Sequence, residues 1–317
     1  RLPALLAIML AFVNAPLAAQ TPPLDPQVPP ALVRTASLDD RVTIPISIDG
    51  KGPWPFVIDT GSQRTVIARD LAQRLALPPR ADVTILSMTG RSQVATVALP
   101  RLTFGAGVID DIEAPVLEWE HLGAAGLLGL DSLHDRRVVL NFRSGTMDIA
   151  DSGRRRTFPT DPDTIVVEAR RKRGQLILLD SRVNGMRVNI MLDTGSHYSI
   201  GNLALRDKLL RKKRAPDLLT ATLTSVTGGT LIGEVGRIGS VALGRVNLTE
   251  VPVIFADASP FAELGMQDKP ALLLGISALR VFDRVAIDFA RGKVDFLLPD
   301  ANAITPTRLA ANQPADG

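Results

Sequence analysis

Two copies of one tetrapeptide carry the residues best suited to chemistry in this sequence. Asp59-Thr60-Gly61-Ser62 follows the apolar run 55–58, and Asp193-Thr194-Gly195-Ser196 follows the apolar run 190–192. Each copy places a carboxylate at the end of a predicted buried strand. A single aspartate there is typical of an ordinary turn. Two copies in the same context indicate that Asp59 and Asp193 meet in one site.

Two carboxyl groups a few ångströms apart share one proton, because ionising both is costly. The ionised group can take a proton from a water that attacks a carbonyl carbon. The protonated group can then hydrogen-bond the carbonyl oxygen. We therefore predict that Asp59 and Asp193 are catalytic and that the reaction needs no metal and no cofactor.

The residues after each aspartate are predicted to support the pair. The glycines allow a tight turn whose N–H groups face the carboxylates, the threonines hydrogen-bond across the lobe interface, and the serine hydroxyls donate to the carboxylates. Such donors lower a carboxyl pKa, so we expect an acidic to mildly acidic optimum. These supporting residues are Thr60, Gly61, Ser62, Thr194, Gly195 and Ser196.

Composition excludes several other kinds of site. The 317 residues include no cysteine and only three histidines, so thiol catalysis is excluded and a histidine-based metal site is not expected. An apolar content of 45% is typical of a globular protein with a core. The basic runs 170–173 and 211–214 have no interleaved aromatic residues, so nucleic acid is not an expected partner. We interpret both runs as solvated surface; contact with acidic partners or anionic envelope surfaces is the alternative.

The N-terminus resembles a targeting segment. Arg1, the apolar stretch 2–13 and small residues up to Ala19 predict a signal peptide over residues 1–19, with cleavage after Ala19. This predicts a periplasmic or secreted protein without stable membrane insertion once the signal is removed. An uncleaved membrane anchor is the alternative. Residues 20–37 are predicted to be a proline-rich leader and residues 299–317 a flexible tail.

An internal repeat determines the predicted architecture. Each copy has a strand hairpin ending in the tetrapeptide, a helix, a hairpin with a glycine-bearing tip, an apolar run ending in glycine, and a closing hairpin. The helices are predicted at 69–77 and 203–210. The fold class is therefore mostly β, with two pseudo-two-fold-related, β-barrel-like lobes and short helices. The lobes span residues 38–150 and 164–298, joined by a linker at 151–163.

This arrangement resembles the retropepsin-type aspartic proteases, with both lobes fused in one chain as in pepsin-like enzymes. The resemblance covers about residues 38–298 and rests on the two Asp-Thr-Gly-Ser motifs, the glycine-tipped hairpins and the apolar runs ending at Gly129 and Gly275. It implies a bilobal acid-protease fold in which those runs pack behind the catalytic loops. It also implies hairpin tips that act as flaps over substrate. The implied flap residues are Met88, Thr89, Gly90, Val226, Thr227 and Gly228.

The resemblance implies an aspartic endopeptidase acting on a peptide or protein substrate, for which a monomer suffices. The sole tyrosine, Tyr198, is not in a flap, and both lobes have a flap, which favours the retropepsin plan. Gln63 corresponds to His197, and Asp131 to Ser277, so the lobes need not do equal work. The alternative function is a catalytically idle peptide-binding or regulatory module, although neither aspartate is replaced.

Overall fold

A computed structural model of the protein describes residues 32–34, 36–38, 41–105, 107–152, 164–210 and 219–299. The predicted signal peptide, most of the proline-rich leader, linker residues 153–163, the basic run 211–214 and tail residues 300–317 lie outside the described residues. Within the described residues, no helix is long and apolar enough to cross a membrane.

The first half of the chain is built of short strands and three single-turn or two-turn helices. In chain order these are β1 (Leu32–Arg34), β2 (Ala36–Leu38), β3 (Arg41–Ile48), β4 (Lys51–Ile58), β5 (Val66–Ala68), α1 (Arg69–Arg74), β6 (Pro79–Ser87), β7 (Gly90–Phe104), β8 (Gly107–Leu117), α2 (Trp119–Leu122), β9 (Gly126–Leu128), α3 (Leu130–Leu133), β10 (Arg136–Asn141) and β11 (Thr146–Asp151).

The second half repeats this series with small differences in strand length. Its elements are β12 (Thr164–Lys172), β13 (Gln175–Leu178), β14 (Ser181–Val183), β15 (Met186–Arg187), β16 (Asn189–Asp193), β17 (Ser199–Gly201), α4 (Leu203–Leu210), β18 (Thr220–Thr224), β19 (Thr230–Leu243), β20 (Val246–Phe255), α5 (Ser259–Glu263), β21 (Ala271–Gly275), α6 (Ile276–Leu279), β22 (Arg284–Asp288) and β23 (Lys293–Leu297).

In the first lobe, the strand that precedes the tetrapeptide lies inside a sheet of order β2-β3-β4-β9-β5-β8-β7-β6. Phe56, Val57 and Ile58 at the end of β4 are fully buried, as expected for an unbroken apolar run. β4 runs parallel to β9, with Ile58 opposite Leu128, and β9 also pairs antiparallel to β5. Asp59 therefore leaves the sheet at the carboxyl end of two adjacent parallel strands.

The second lobe places its tetrapeptide in the same way. β16 runs parallel to β21, with Leu192 opposite Leu274 and Asp193 opposite Gly275. β17 pairs antiparallel to β21, as β5 does to β9. The predicted repeat of two β lobes is confirmed by this matching topology. The glycine-tipped hairpins are confirmed as β6–β7 and β18–β19.

The closing hairpins of the two lobes join into one shared sheet. β10 pairs antiparallel to β22, with Val138 opposite Ile287 and Leu140 opposite Val285. All four of these side chains are buried. The order through this region is β1-β11-β10-β22-β23-β12. The lobes are therefore tied by backbone hydrogen bonds and by a common apolar layer, a link that the repeat pattern did not predict.

Three local expectations differ from the structure. Residues 32–34 and 36–38, assigned to the leader by its proline-rich composition, form β1 and β2, because no proline follows Pro30 there to block pairing. The short strands predicted between residues 102 and 117 are parts of the long β7 and β8. Pro100 is skipped between the Leu99–Ile112 and Arg101–Asp110 pairs, so β7 continues past it. The helix predicted at 69–77 ends at Arg74, since Ala76 has a positive φ of 49°.

Candidate active site

The two tetrapeptides face each other, and each aspartate side chain reaches the glycine of the opposite lobe. A Cβ on Gly61 would stand 2.8 Å from Cγ of Asp193, and a Cβ on Gly195 would stand 2.3 Å from Cγ of Asp59. Any side chain at either glycine would therefore displace a carboxyl group. Glycine is required here for this close approach, and Asp59 and Asp193 are neighbours across the pseudo-two-fold axis.

The threonines of the two tetrapeptides hold the lobes together with a reciprocal set of buried hydrogen bonds. The Thr60 hydroxyl donates to the carbonyl of Leu192 at 2.9 Å and accepts from the Thr194 N–H at 3.1 Å. The Thr194 hydroxyl donates to the carbonyl of Ile58 at 2.7 Å and accepts from the Thr60 N–H at 3.1 Å. Each hydroxyl therefore satisfies one donor and one acceptor of the opposite lobe.

Backbone N–H groups, rather than the serine hydroxyls, hold the carboxylates. Oδ1 of Asp59 accepts from the N–H groups of Gly61 at 2.8 Å and Ser62 at 3.0 Å. In the second lobe Oδ1 of Asp193 accepts in the same way from Gly195 and Ser196, at 3.1 and 3.2 Å.

The prediction that the serine hydroxyls donate to the carboxylates is wrong. They donate instead to the carbonyls of Arg64 and Tyr198, at 2.8 Å in both lobes. Because each acceptor lies two residues further along its own chain, Ser62 and Ser196 shape their turns and touch the aspartates only through the backbone.

Burial makes both carboxyl groups harder to ionise. The pKa of Asp59 is raised by burial, although the Gly61 and Ser62 N–H groups and the charge of Arg41 oppose this rise. Burial, together with the negative charge of Asp59, raises the pKa of Asp193 to about 7. Asp193 is 7% exposed, whereas Asp59 is only half-buried. The pair can therefore retain one proton up to nearly neutral pH.

The two aspartates have unequal neighbours at equivalent positions. Thr43 pairs with Val57, two residues before Asp59. By the same register, Ile177 pairs with Met191, two residues before Asp193. Position 41 in the first lobe therefore corresponds to position 175 in the second.

The residues at those two positions differ in charge. Arg41 is a cation that lowers the pKa of Asp59, while Gln175 is a buried neutral amide that donates to the Gly61 carbonyl at 2.7 Å. The dyad is thus electrostatically asymmetric. Neither residue was predicted from the sequence, because their equivalence depends on strand register.

The apolar runs ending in glycine pack behind the two Asp-Thr-Gly-Ser loops, as the family resemblance implied. A Cβ on Gly129 would lie 2.4 Å from the backbone of Arg64, and one on Gly275 would lie 2.5 Å from the backbone of Tyr198. The N–H of Leu130 donates to the Ser62 carbonyl at 2.9 Å. Each catalytic loop is therefore supported by the start of the short helix that follows the glycine.

A comparison with known protein families identifies the family of this chain. Residues 44–132 and 179–278 match the family model described as "Aspartyl protease", and together they cover more than half of the sequence. The chain belongs to the aspartyl protease family. The two matched segments contain one Asp-Thr-Gly-Ser each, in agreement with a two-lobed, retropepsin-like plan. A comparison with curated proteins found no match.

One of the two Asp-Thr-Gly-Ser loops has an extra anchor. The carboxylate of Asp131 accepts from the Thr65 N–H at 2.9 Å and from the Thr65 hydroxyl at 2.6 Å. The Thr65 hydroxyl in turn accepts from the Gly129 N–H. In the second lobe Ser199 accepts from the Gly275 N–H at 3.2 Å, and Ser277 stands in place of Asp131. The sequence difference at this position therefore marks a tighter loop on the Asp59 side.

The tips predicted to be flaps, flap 1 (88–91) and flap 2 (226–229), meet each other. The Thr227 hydroxyl donates to the Ser87 hydroxyl at 3.0 Å, and a Cβ on Gly229 would lie 2.4 Å from Oγ1 of Thr89. Gly90 and Gly228 have φ of 124° and 83°, which glycine adopts without strain. The two tips are thus in contact in the structure.

Each flap also contacts the opposite lobe. The Met88 carbonyl accepts from the Ser259 N–H at 3.0 Å, and the Met88 side chain packs against an apolar cluster of the second lobe. Gly228 lies against the ring of His121 in α2. Val226 packs against the main core. Flap 1 is therefore seated on α5, and flap 2 on α2.

Two further residues that differ between the lobes follow the tetrapeptides. The Gln63 side chain donates to the carbonyl of Arg173 at 3.2 Å and so links the first catalytic loop to the β12–β13 turn. The His197 ring stacks edge-on against Tyr198 with centroids 4.4 Å apart. Its buried Nδ1 has no hydrogen-bond partner among the described residues. Neither side chain donates to a carboxylate of the dyad among the described contacts.

Proposed function

We propose that the protein is an aspartic endopeptidase that hydrolyses peptide bonds with a water activated between Asp59 and Asp193. The observation that supports this most strongly is the reciprocal approach of each aspartate to the glycine of the other tetrapeptide. Family membership supports a protease-type activity. Both carboxyls are intact and have raised pKa values, so the pair keeps its shared proton and suits general acid–base chemistry from acidic to nearly neutral pH.

The asymmetry of the site favours different roles for the two carboxyl groups. Asp193 is the more buried, has a pKa of about 7 and has neutral Gln175 at the position where the first lobe has Arg41, so it holds the shared proton. Asp59 has the charge of Arg41 nearby and is the ionised base. A hydrogen bond from Asp193 then polarises the substrate carbonyl while Asp59 receives a proton from the water.

In the first step the water oxygen bonds to the carbonyl carbon, its proton passes to Asp59, and the Asp193 proton passes to the carbonyl oxygen. A neutral gem-diol results. In the second step Asp59 gives its proton to the amide nitrogen and the C–N bond breaks. One diol hydroxyl returns its proton to Asp193 as the carboxylic acid forms. The dyad is restored with its single proton, and one amine and one acid are released.

The substrate of this reaction is proposed to be an extended peptide held between the dyad and the flaps. Because one chain supplies both aspartates, a monomer is sufficient. We further propose, from the N-terminal sequence pattern alone, that residues 1–19 are a cleaved signal peptide and that the protein acts in the periplasm or outside the cell.

The test is incubation of the protein lacking residues 1–19 with a peptide library over pH 3–9, with and without pepstatin. Asp59→Asn and Asp193→Asn should each lower kcat/KM at least about a hundredfold, because each removes a proton-transfer group. Activity should fall as pH rises through about 7, where the pair loses its shared proton. The matched control is Asp82→Asn at an exposed position, which should leave the rate unchanged.

Wild-type rates in either dyad variant would overturn the proposal. Tight pepstatin binding without cleavage of any peptide would instead support the idle binding module.

A further inference from the structure

An open surface depression of about 570 Å³, called the cavity below, lies between flap 1 and α5. Its walls include Gly90 and Arg91 from the flap, Ser259 and Glu263 from α5, and Arg173 from the β12–β13 turn. Arg173 ends the basic run 170–173, which the sequence suggested was solvated surface. The structure places this arginine against the flap and a helix of the second lobe.

The cavity has more cationic than anionic groups. Arg91 donates to one carboxylate oxygen of Glu263 at 2.7 Å, and Arg173 donates to the other. The ammonium of Lys172 lies 3.7 Å from where a Cβ on Gly265 would stand, just beyond the end of α5. A single carboxylate therefore forms ion pairs with two guanidinium groups. The side chains of Arg91 and Arg173 remain 65% and 57% exposed, so both keep donors for a further acceptor.

Among the described residues, the equivalent position on the other side of the pseudo-two-fold axis lacks the Arg91–Glu263 ion pair. In the flap tips Gly229 corresponds to Arg91. Glu263-Leu264-Gly265 corresponds to His121-Leu122-Gly123, and both terminal glycines have a φ near 60°. The Gly228–His121 contact thus replaces the Arg91–Glu263 ion pair. A substrate cleft between the lobes would therefore carry extra positive charge at one end and not at the other.

The cavity is connected to the catalytic loop as well as to the flap. The carbonyl of Arg173 accepts from the side chain of Gln63, four residues after Asp59. The opposite wall is fixed to flap 1 by the bond from the Ser259 N–H to the Met88 carbonyl. The turn that bears Arg173 is therefore joined to the loop that carries Asp59, and an extended peptide held under flap 1 on that side of the dyad would run toward the cavity.

We propose that this cavity binds an acidic side chain of the peptide substrate, on one side of the scissile bond only. The inference rests on the proposed peptidase function and adds a substrate class to it. A guanidinium fork matches a carboxylate in geometry and charge, and two arginines sharing one glutamate have unused donors. The basic run 170–173 thereby acquires a role in substrate selection through Arg173.

The test is a peptide library in which each position carries either Glu or Gln, cleaved at low and high salt. For one position on one side of the scissile bond, the Glu peptide should have a kcat/KM about three- to tenfold higher than the Gln peptide. Arg173→Gln should bring this ratio to about one, and high salt should lower it in the wild type. Glu263→Gln should increase the ratio, because it removes the competing carboxylate. Arg237→Gln, at the exposed Arg237–Glu250 pair, is the matched control and should leave the ratio unchanged.

Arg173→Gln and Glu263→Gln are expected to change the Glu/Gln ratio in opposite directions. This distinguishes the proposal from a role in which the ion pairs only hold flap 1 closed. If the ion pairs only hold flap 1 closed, Arg173→Gln and Glu263→Gln should change the rates for Glu and Gln peptides alike, and that result would overturn the proposal. An equal rate for Glu and Gln at every position of the wild-type substrate would do the same.

A binding experiment separates failure of this inference from failure of the proposed function. Fluorescent versions of the same peptides are titrated against Asp59→Asn and against Asp59→Asn combined with Arg173→Gln. Tighter binding of the Glu peptide to the first variant, lost in the second, would support the cavity even if no peptide is ever cleaved. Equal binding of both peptides, with cleavage intact in the wild type, would overturn the cavity and leave the peptidase standing.

Discussion

At the scale of single residues, the dyad is suited to catalysis and costly to stability. Asp193 is 7% exposed and its pKa is raised from 3.8 to about 7 by burial and by Asp59. In the unfolded chain this carboxyl loses its proton near its ordinary pKa, whereas the folded protein keeps it. The folded state is therefore favoured at low pH, and this contribution is lost as pH rises from about 4 to about 7.

Asp193→Asn should consequently stabilise the protein at pH 8 by on the order of 2–4 kcal/mol, since each unit of pKa shift is worth about 1.4 kcal/mol. At pH 4 the gain should be only about 0.6 kcal/mol, because Asp193 is protonated in the folded state and about two-fifths protonated in the unfolded one. Urea unfolding of wild type and variant at both pH values measures this, with Asp82→Asn as the exposed control. A gain that is equal at pH 4 and pH 8 would contradict the assigned cause.

At the scale of elements, the catalytic loops depend on the threonine hydrogen bonds between the lobes. Thr194→Val keeps the shape of the side chain but leaves the Ile58 carbonyl and the Thr60 N–H without their partners in a fully buried place. We expect a loss of about 2–4 kcal/mol in the free energy of unfolding, for two unsatisfied buried groups.

Thr194→Ser is the matched control for this loss. It retains the hydroxyl and removes only a methyl group, so it should cost clearly less than Thr194→Val. Denaturant midpoints of the two variants measure and compare these two losses of stability. Equal losses would show that packing of the methyl group, rather than the hydrogen bonds, stabilises the interface.

Some elements of the fold could be predicted from the sequence and others could not. Apolar runs, turn glycines and the repeat were sufficient for the hairpins, the flap tips and the strands that end at Asp59 and Asp193, because these depend on local pattern. The β10–β22 pairing was missed, since an edge strand carries no sign of which distant edge it joins. Gln175 and the Arg91–Glu263–Arg173 cluster were missed for a related reason. Their roles come from contacts between lobes, and nothing in their local sequence differs from ordinary surface.

At the scale of the whole molecule, one chain carries both Asp-Thr-Gly-Ser motifs and can form the dyad alone. The interlobe bonds of Thr60 and Thr194, the bond from Gln175 to Gly61 and the β10–β22 pairing all join residues of the same chain. A site formed by two chains would need these contacts to be exchanged between copies. The arrangement therefore predicts a complete active site in each monomer, with a rate per chain that does not fall on dilution.

Mixing two inactive variants tests this directly. In an equimolar mixture of Asp59→Asn and Asp193→Asn, every chain has one defective aspartate in its own site, so the mixture should remain as inactive as each variant alone. If instead the lobes of two chains paired with each other, some sites would combine the intact Asp193 of one variant with the intact Asp59 of the other. Up to about a quarter of wild-type activity would then return after the two variants are unfolded and refolded together, since random pairing of the two kinds of lobe yields intact dyads at that frequency. Wild-type protein taken through the same cycle controls for refolding yield, and recovered activity in the mixture would show that the catalytic unit is a dimer.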